Sequence, residues 1–248
     1  MKNVTSLCLS AVFLVSAASL SADTVFLDFG GSVGVFQESD TGNANYWNTV
    51  GISTNSTSSL VTSTNSASGI TYTLTAGFNG QNSGAVSAPS TSLLGDLAVG
   101  SATNDFGYVQ GSIGYSSSAS FTLSGLDANT IYTFTFFGSR NTSTTRDAQY
   151  QVVGTDTQSA ILIASGSGIA ANGTNNYNDD EVVTIGNVSP NGSNEIVINV
   201  GLGPNGDGVY GYLNAIQITA TSTIPEPSAF AMLAGFAGLA LVGLRRRR

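Results

Sequence analysis

Three groups of residues in this 248-residue chain could do chemistry. Asp179-Asp180-Glu181, preceded by the Asn-rich run 172–178, could supply oxygen ligands to calcium, a cation held by carboxylates and carbonyls. They lack the spacing of an EF-hand loop, and three adjacent acids at a loop–strand junction also suit a solvated surface. Arg140 and Arg146 bracket residues 141–145, with Asp147 next in the chain. A guanidinium in such a loop either pairs with a carboxylate or offers its forked donors to a sugar hydroxyl or carboxylate. Trp47, the only Trp, stands beside Tyr46 in Asn45-Tyr46-Trp47-Asn48. A flat ring among amide side chains can stack on sugar C–H groups while the amides take the hydroxyls; the alternative for Trp47 is a place in the core. Asp207, in the Gly203–Gly208 cluster, reads as a turn residue. Asp28, within a strand, is expected to be buried and therefore paired, with no partner named by the sequence.

The residues that are missing exclude more than those present suggest. Histidine is absent from the whole chain and lysine from residues 23–222, and the one Cys is Cys8. Ser-His-Asp and Cys-His nucleophiles, lysine Schiff bases and His-ligated zinc are thereby excluded from that part. No Gly-rich phosphate loop or dinucleotide fingerprint is present. Carboxylate pairs of the glycosidase kind and oxygen-ligated calcium remain as available chemistry. Five of the seven basic residues are Lys2 and Arg245–Arg248, so residues 23–222 hold two arginines against fourteen acids, a net charge near −12. Such a surface repels phosphate backbones and excludes nucleic acid as a partner, while neutral glycans remain compatible.

Both ends read as addresses. Lys2 precedes an uncharged apolar stretch, Val4–Leu20, and small residues end in Leu20-Ser21-Ala22 before Asp23. This is the pattern of a signal peptide, residues 1–22, cleaved after Ala22. At the other end Ile224-Pro225-Glu226-Pro227-Ser228 leads into an uncharged run, Ala229–Leu244, and then Arg245, Arg246, Arg247 and Arg248. A helix over that run spans about 24 Å, short of a hydrocarbon core of about 30 Å. The arginines would hold their end in the cytoplasm and leave the preceding domain outside. Residues 223–248 resemble the PEP-CTERM sorting signal of bacterial surface proteins. That resemblance implies export through an inner-membrane intermediate held by the C-terminal helix, processing by an exosortase-type enzyme, and a final place at the cell surface. A permanent membrane anchor is the alternative.

What lies between must be built from strands. Ile70–Thr75 and Ala119–Ser124 alternate apolar and polar without fault, and Glu195–Val200 nearly so. Further strands are expected over 24–29, 130–137, 148–153, 159–164, 182–188 and 211–219, separated by Gly, Asn, Ser and Asp clusters. About nine strands in one exported domain, residues 23–222, predict an all-β fold, a single β-sandwich of jelly-roll or immunoglobulin-like kind. Leu126, Thr130 and Tyr132 have the spacing of a tyrosine corner, in which the Tyr bonds back to the upstream backbone. The strand it opens, apolar on both faces in places, should be interior. Residues 53–68, nearly all Ser, Thr and Asn, read as an edge strand or surface loop, and residues 80–114 as a long loop or as unrecognised strands.

The domain also resembles the jelly-roll modules that accompany bacterial polysaccharide enzymes, on Phe26-Leu27-Asp28-Phe29-Gly30, the tyrosine-corner strand and the closing Tyr212–Ile218 segment. These are patterns of fold more than of function; the leading reading of the residues is a non-enzymatic surface or matrix protein binding neutral glycan or exopolysaccharide, with Trp47, Tyr46, Arg140 and Arg146 as candidate ligand residues. A carbohydrate-active enzyme using two carboxylates, and a purely structural or adhesive protein, are the alternatives. No cofactor is expected apart from calcium at Asp179, Asp180 and Glu181.

Overall fold

A computed structural model describes residues 23–39, 43–53, 55–112 and 117–222. The signal-peptide segment, and the sorting segment with Pro225, Glu226, Pro227 and Arg245–Arg248, lie outside the described residues. Within them the chain forms β1 (Asp23–Asp28), β2 (Gly34–Gln37), β3 (Tyr46–Thr49), β4 (Thr57–Val61), β5 (Ala67–Ala76) and β6 (Gly80–Ser83). Two short helices follow, α1 (Thr91–Leu94) and α2 (Gly100–Asn104), with a 3-10 turn between them. Then come β7 (Asp105–Gln110), β8 (Ser118–Ser124), β9 (Thr130–Phe137), β10 (Arg146–Val153) and β11 (Thr157–Ser165). The last four strands are β12 (Val183–Val188), β13 (Ile196–Leu202), β14 (Tyr210–Leu213) and β15 (Ala215–Ser222). Among the described residues no helix is long and apolar enough to cross a membrane.

The strands make two six-stranded sheets, ordered β12-β9-β15-β1-β3-β2 and β11-β10-β13-β8-β5-β4, and a three-stranded sheet, β14-β7-β6. Period-2 alternation sends one face of each large sheet into a shared apolar core. Val25, Leu27, Phe134, Phe136 and Ile216 come from the first sheet, and Tyr72, Phe121, Tyr150 and Ile198 from the second. The expected β-sandwich is therefore present. The tyrosine corner is present too: the Asp127 amide donates to the Tyr132 hydroxyl at 3.0 Å. The strand it opens, β9, is interior, between β12 and β15.

Three segments position the sites. The segment 211–219, read as one strand, is divided at Asn214 between the small sheet and the first sheet. Asn214 is fully buried; its Nδ2 donates to the Thr103 carbonyl at 2.9 Å and its Oδ1 accepts the Ser139 amide at 2.7 Å. The side chain thus satisfies backbone groups where the chain changes sheet, and the surrounding apolar run hides the break. Residues 80–114 contain β6 and the helices, too short to show a period in sequence, and β7, whose Phe106, Tyr108 and Val109 put apolar residues on both faces and hide the alternation. The helices carry Leu94, Leu97, Val99 and Ala102 onto the outer face of the first sheet, over Phe26, Trp47 and Phe137. Residues 53–68 supply β4, the edge strand of the second sheet, which is one of the two forms expected.

Candidate functional site

Of the four residues expected to bind ligand, the structure brings only the arginines to one surface, the outer face of the small sheet. On β7 the residues Phe106, Tyr108 and Gln110 share that face, and on β14 Tyr210 and Tyr212 do. Tyr212 lies opposite Tyr108 across the ladder, so Tyr210 is diagonal to Tyr108, with ring centroids 5.9 Å apart. Tyr210 and Tyr212 are parallel at 6.2 Å, and Phe106 meets Tyr212 edge-on at 5.0 Å. Phe106 and Tyr212 are buried, whereas Tyr108 and Tyr210 are half-buried and form the accessible part. Tyr108 crosses its ladder partner Gly80, where an added Cβ would stand 2.7 Å from the Tyr108 hydroxyl. Only glycine lets the ring lie there.

Both arginines are bound to this aromatic layer. The Arg146 guanidinium lies 4.4 Å over the Tyr210 ring and 6.0 Å from that of Tyr212. Its Nε donates to Asp207 Oδ2 at 3.1 Å and its Nη1 to the Tyr212 hydroxyl. Burial pushes that hydroxyl's pKa up, against the pull of Arg146. The carboxylate partner expected for Arg146 is thus Asp207 rather than its neighbour Asp147. Arg140 lies 5.3 Å over Phe106 and donates to the Ser83 carbonyl at 2.7 Å; among the described residues no ion pair is recorded for it. A register shift in the β10–β11 pairing between Arg146 and Asp147 allows the two neighbours separate tasks. Arg146 joins the rings, while the buried Asp147 carboxylate accepts the amides of Asn205 and Gly206 at 2.8 Å each. Asp207 also accepts the Val209 amide, so the turn residue is a member of the site.

Trp47 corrects the sequence reading. It belongs to β3 and is fully buried, 4.8 Å from Phe26 and 6.1 Å from Phe36 in stacked geometry. Its face of the strand is covered by the helical segment, so the ring cannot meet a sugar. Tyr46, the preceding residue, is half-buried on the first sheet and does not join the arginines. The acids Asp179, Asp180 and Glu181 do not converge either. Asp179 Oδ1 accepts the Ala171 amide at 2.7 Å, and the buried Asn178 holds the amides of Asp180 and Glu181. Among the described residues no three His, Cys, Asp or Glu side chains are placed to hold a metal ion together.

Sequence reasoning missed a pair of acids. At the end of β1, Asp28 is 3% exposed, and Thr49 Oγ1 donates to its Oδ2 at 2.9 Å. Asp105, at the start of β7, is its electrostatic neighbour. Burial and then Asp105 push the Asp28 carboxyl up to about 8, against Thr49 and the Gly30 amide; burial pushes Asp105 up to about 6. Asp28 Oδ1 and Asp105 Oδ1 are both buried without a hydrogen-bond partner.

No family model matches the chain, and no curated protein matches it. Among solved structures, the ANX1 ectodomain of Arabidopsis thaliana aligns with a TM-score of 0.51 at 15% identity, over 83% of this chain and 52% of that one. The ANXUR1 extracellular domain of Arabidopsis thaliana aligns at 0.49 and 14%, over 81% and 49%. TmCBM61 in complex with β-1,4-galactotriose aligns at 0.27 and 15%, over 46% and 68%. The chain spans about half the length of the two ectodomains, and its likeness to the ANX1 ectodomain is one of fold.

Proposed function

We propose that residues 23–222 form a non-enzymatic, exported domain that binds neutral glycan through the outer face of its small sheet. One observation carries this reading: half-buried Tyr108 and Tyr210 share a face with both arginines of the domain. Tyrosine offers an apolar face to sugar C–H groups and a hydroxyl to sugar oxygens. Arg146, stacked on Tyr210 and hydrogen-bonded to Tyr212 beforehand, holds the Tyr210 ring with little entropy left to lose on binding. Gln110, opposite Tyr210, and the exposed Asn82, opposite Phe106, place amides on the same face.

Retention of the protein on immobilised neutral polysaccharides tests it. Tyr210→Ala should weaken retention at least about tenfold with the near-ultraviolet circular dichroism otherwise that of a folded sandwich. No retention on any polymer, or retention indifferent to Tyr210 and Tyr108, leaves a structural or adhesive surface protein. The reading includes the expected route: export by the segment 1–22, and sorting by residues 223–248 through an exosortase-type enzyme. Mass spectrometry of surface material should then find Asp23 first and Arg245–Arg248 removed. An intact C-terminus would leave a plain anchor.

A further inference from the structure

Among the described residues, Asp28 and Asp105 are an acid pair without a counter-charge. Asp28 Oδ1 and Asp105 Oδ1 are buried and unpartnered, and Thr49 has already given its hydroxyl to Asp28 Oδ2. The described residues have no cation to spare for them. Residues 23–222 contain two arginines and no lysine or histidine, and both arginines are engaged at the small sheet. A buried carboxylate pair left ionised and alone costs several kcal/mol, so it is met either by a proton or by a cation from outside the chain.

We propose that Asp28 and Asp105 form an oxygen-ligand site for a divalent cation of calcium's class, with Asp28 Oδ1 and Asp105 Oδ1 as its charged ligands. The backbone is shaped for it. Gly30 lies so close to Asp105 that an added Cβ would stand 2.0 Å from its Cγ and 2.2 and 2.5 Å from its oxygens. Glycine at this position is what allows the carboxylate of β7 to reach the end of β1. Asp105 is half-buried, and residues 31–35 beside it are exposed, which gives an ion a way in. Two carboxylates match the charge of a divalent ion, and calcium completes its six to eight ligands with carbonyls and water. With two acids the affinity falls in the range of extracellular calcium modules, about 10⁻⁴–10⁻³ M. This inference does not rest on the glycan reading.

The single Trp supplies the probe. In the sheet register Phe26 pairs with Trp47 and Asp28 with Thr49, so Trp47 is two residues from Thr49 along one strand face, about 7 Å. Terbium(III) added to the full-length protein should therefore emit when the indole is excited, and calcium should displace the emission. Asp105→Asn should weaken terbium binding at least tenfold, as should Asp28→Asn. Gly30→Ala, which keeps both acids but displaces one, should do the same. Asp179→Asn should leave it unchanged. Wild-type protein without indole-sensitised, calcium-displaceable emission would overturn the proposal and leave a carboxyl pair sharing a proton. So would an Asp105→Asn protein that is folded by circular dichroism and binds terbium as tightly as the wild type.

Discussion

Asp147 and Asp28 are equally hidden, 2% and 3% exposed, yet they stand in opposite conditions. Asp147 has an amide hydrogen bond on each oxygen, from Asn205 and Gly206. Its loop is closed by the Asp147 carbonyl, which accepts the Gly203 amide, and by Asp207, whose amide bonds to the Thr145 carbonyl. Asp28 has Thr49 on Oδ2 and the Gly30 amide nearby, but its Oδ1 is buried without a hydrogen-bond partner, as is Oδ1 of its neighbour Asp105. Burial alone therefore does not distinguish an acid the fold has paired from one it has left open. The distinction is whether the fold supplies a donor to each carboxylate oxygen. Where it does, the acid is a brace, and here it braces the loop behind the tyrosine–arginine platform. Where it does not, the remaining valence is open to a proton or an ion.

The comparison breaks most sharply at the brace. Asp147→Ala removes two hydrogen bonds to a buried carboxylate and should cost about 4 kcal/mol in urea unfolding, whatever the cation content of the buffer. Asp28→Asn, by contrast, removes a charge that the chain does not compensate and should cost little or stabilise when chelator is present. A loss at Asp28 as large as that at Asp147, in chelator, would erase the distinction.

The next effect is in pH. Both acids of the pair have folded pKa values raised above the ordinary carboxylate value, to about 8 and about 6. The folded state then holds protons that the unfolded chain has released above pH 4. Stability from this pair is full below about pH 4 and is lost as pH rises through 6 and then 8. In chelator the wild type should lose on the order of 3 kcal/mol more than Asp28→Asn between pH 4 and 8. Chemical denaturation at a series of pH values reads the difference directly. Equal slopes for the two proteins would show that Asp28 is ionised throughout.

How much of this was readable beforehand follows from length of element and sequence distance. The long alternating strands, such as 70–75, 119–124 and 130–137, were legible because each spans enough residues for period 2 to repeat. So was the tyrosine corner, which is local. β2, β3 and β6 have four residues apiece, too few for a pattern, and with β3 unseen Trp47 had no face assigned to it. The arginines were legible as scarce cations, but their meeting place was not, because it joins the end of β9 and the start of β10 to β7 and β14. One signal was available: Phe106 and Tyr108, like Tyr210 and Tyr212, are aromatics two residues apart, which on strands share a face. The partner of Asp28 was beyond sequence reasoning, since Asp105 comes from the segment that showed no alternation.

A milder effect separates the platform from its brace. Tyr210→Ala should cost roughly 1 kcal/mol of stability, since its ring is only half-buried and loses mainly the contacts to Tyr108, Tyr212 and Arg146. Its effect on glycan retention, at least about tenfold, should then exceed what so small a stability change can explain. Arg146→Lys should fall between the two, because a lysine keeps the charge beside Asp207 but cannot hold Tyr212 and lie flat on Tyr210 at once.

The smallest expected effect is at the acids that sequence alone favoured for calcium. Asp179 accepts a single amide, from exposed Ala171, so Asp179→Asn retains an acceptor in the same place and should change stability by less than about 0.5 kcal/mol. Neither calcium nor chelator should alter that figure in thermal unfolding. A calcium-dependent difference at Asp179 would move the ion to the loop 171–181, and the unmet oxygens of Asp28 and Asp105 would then have to be met by a proton.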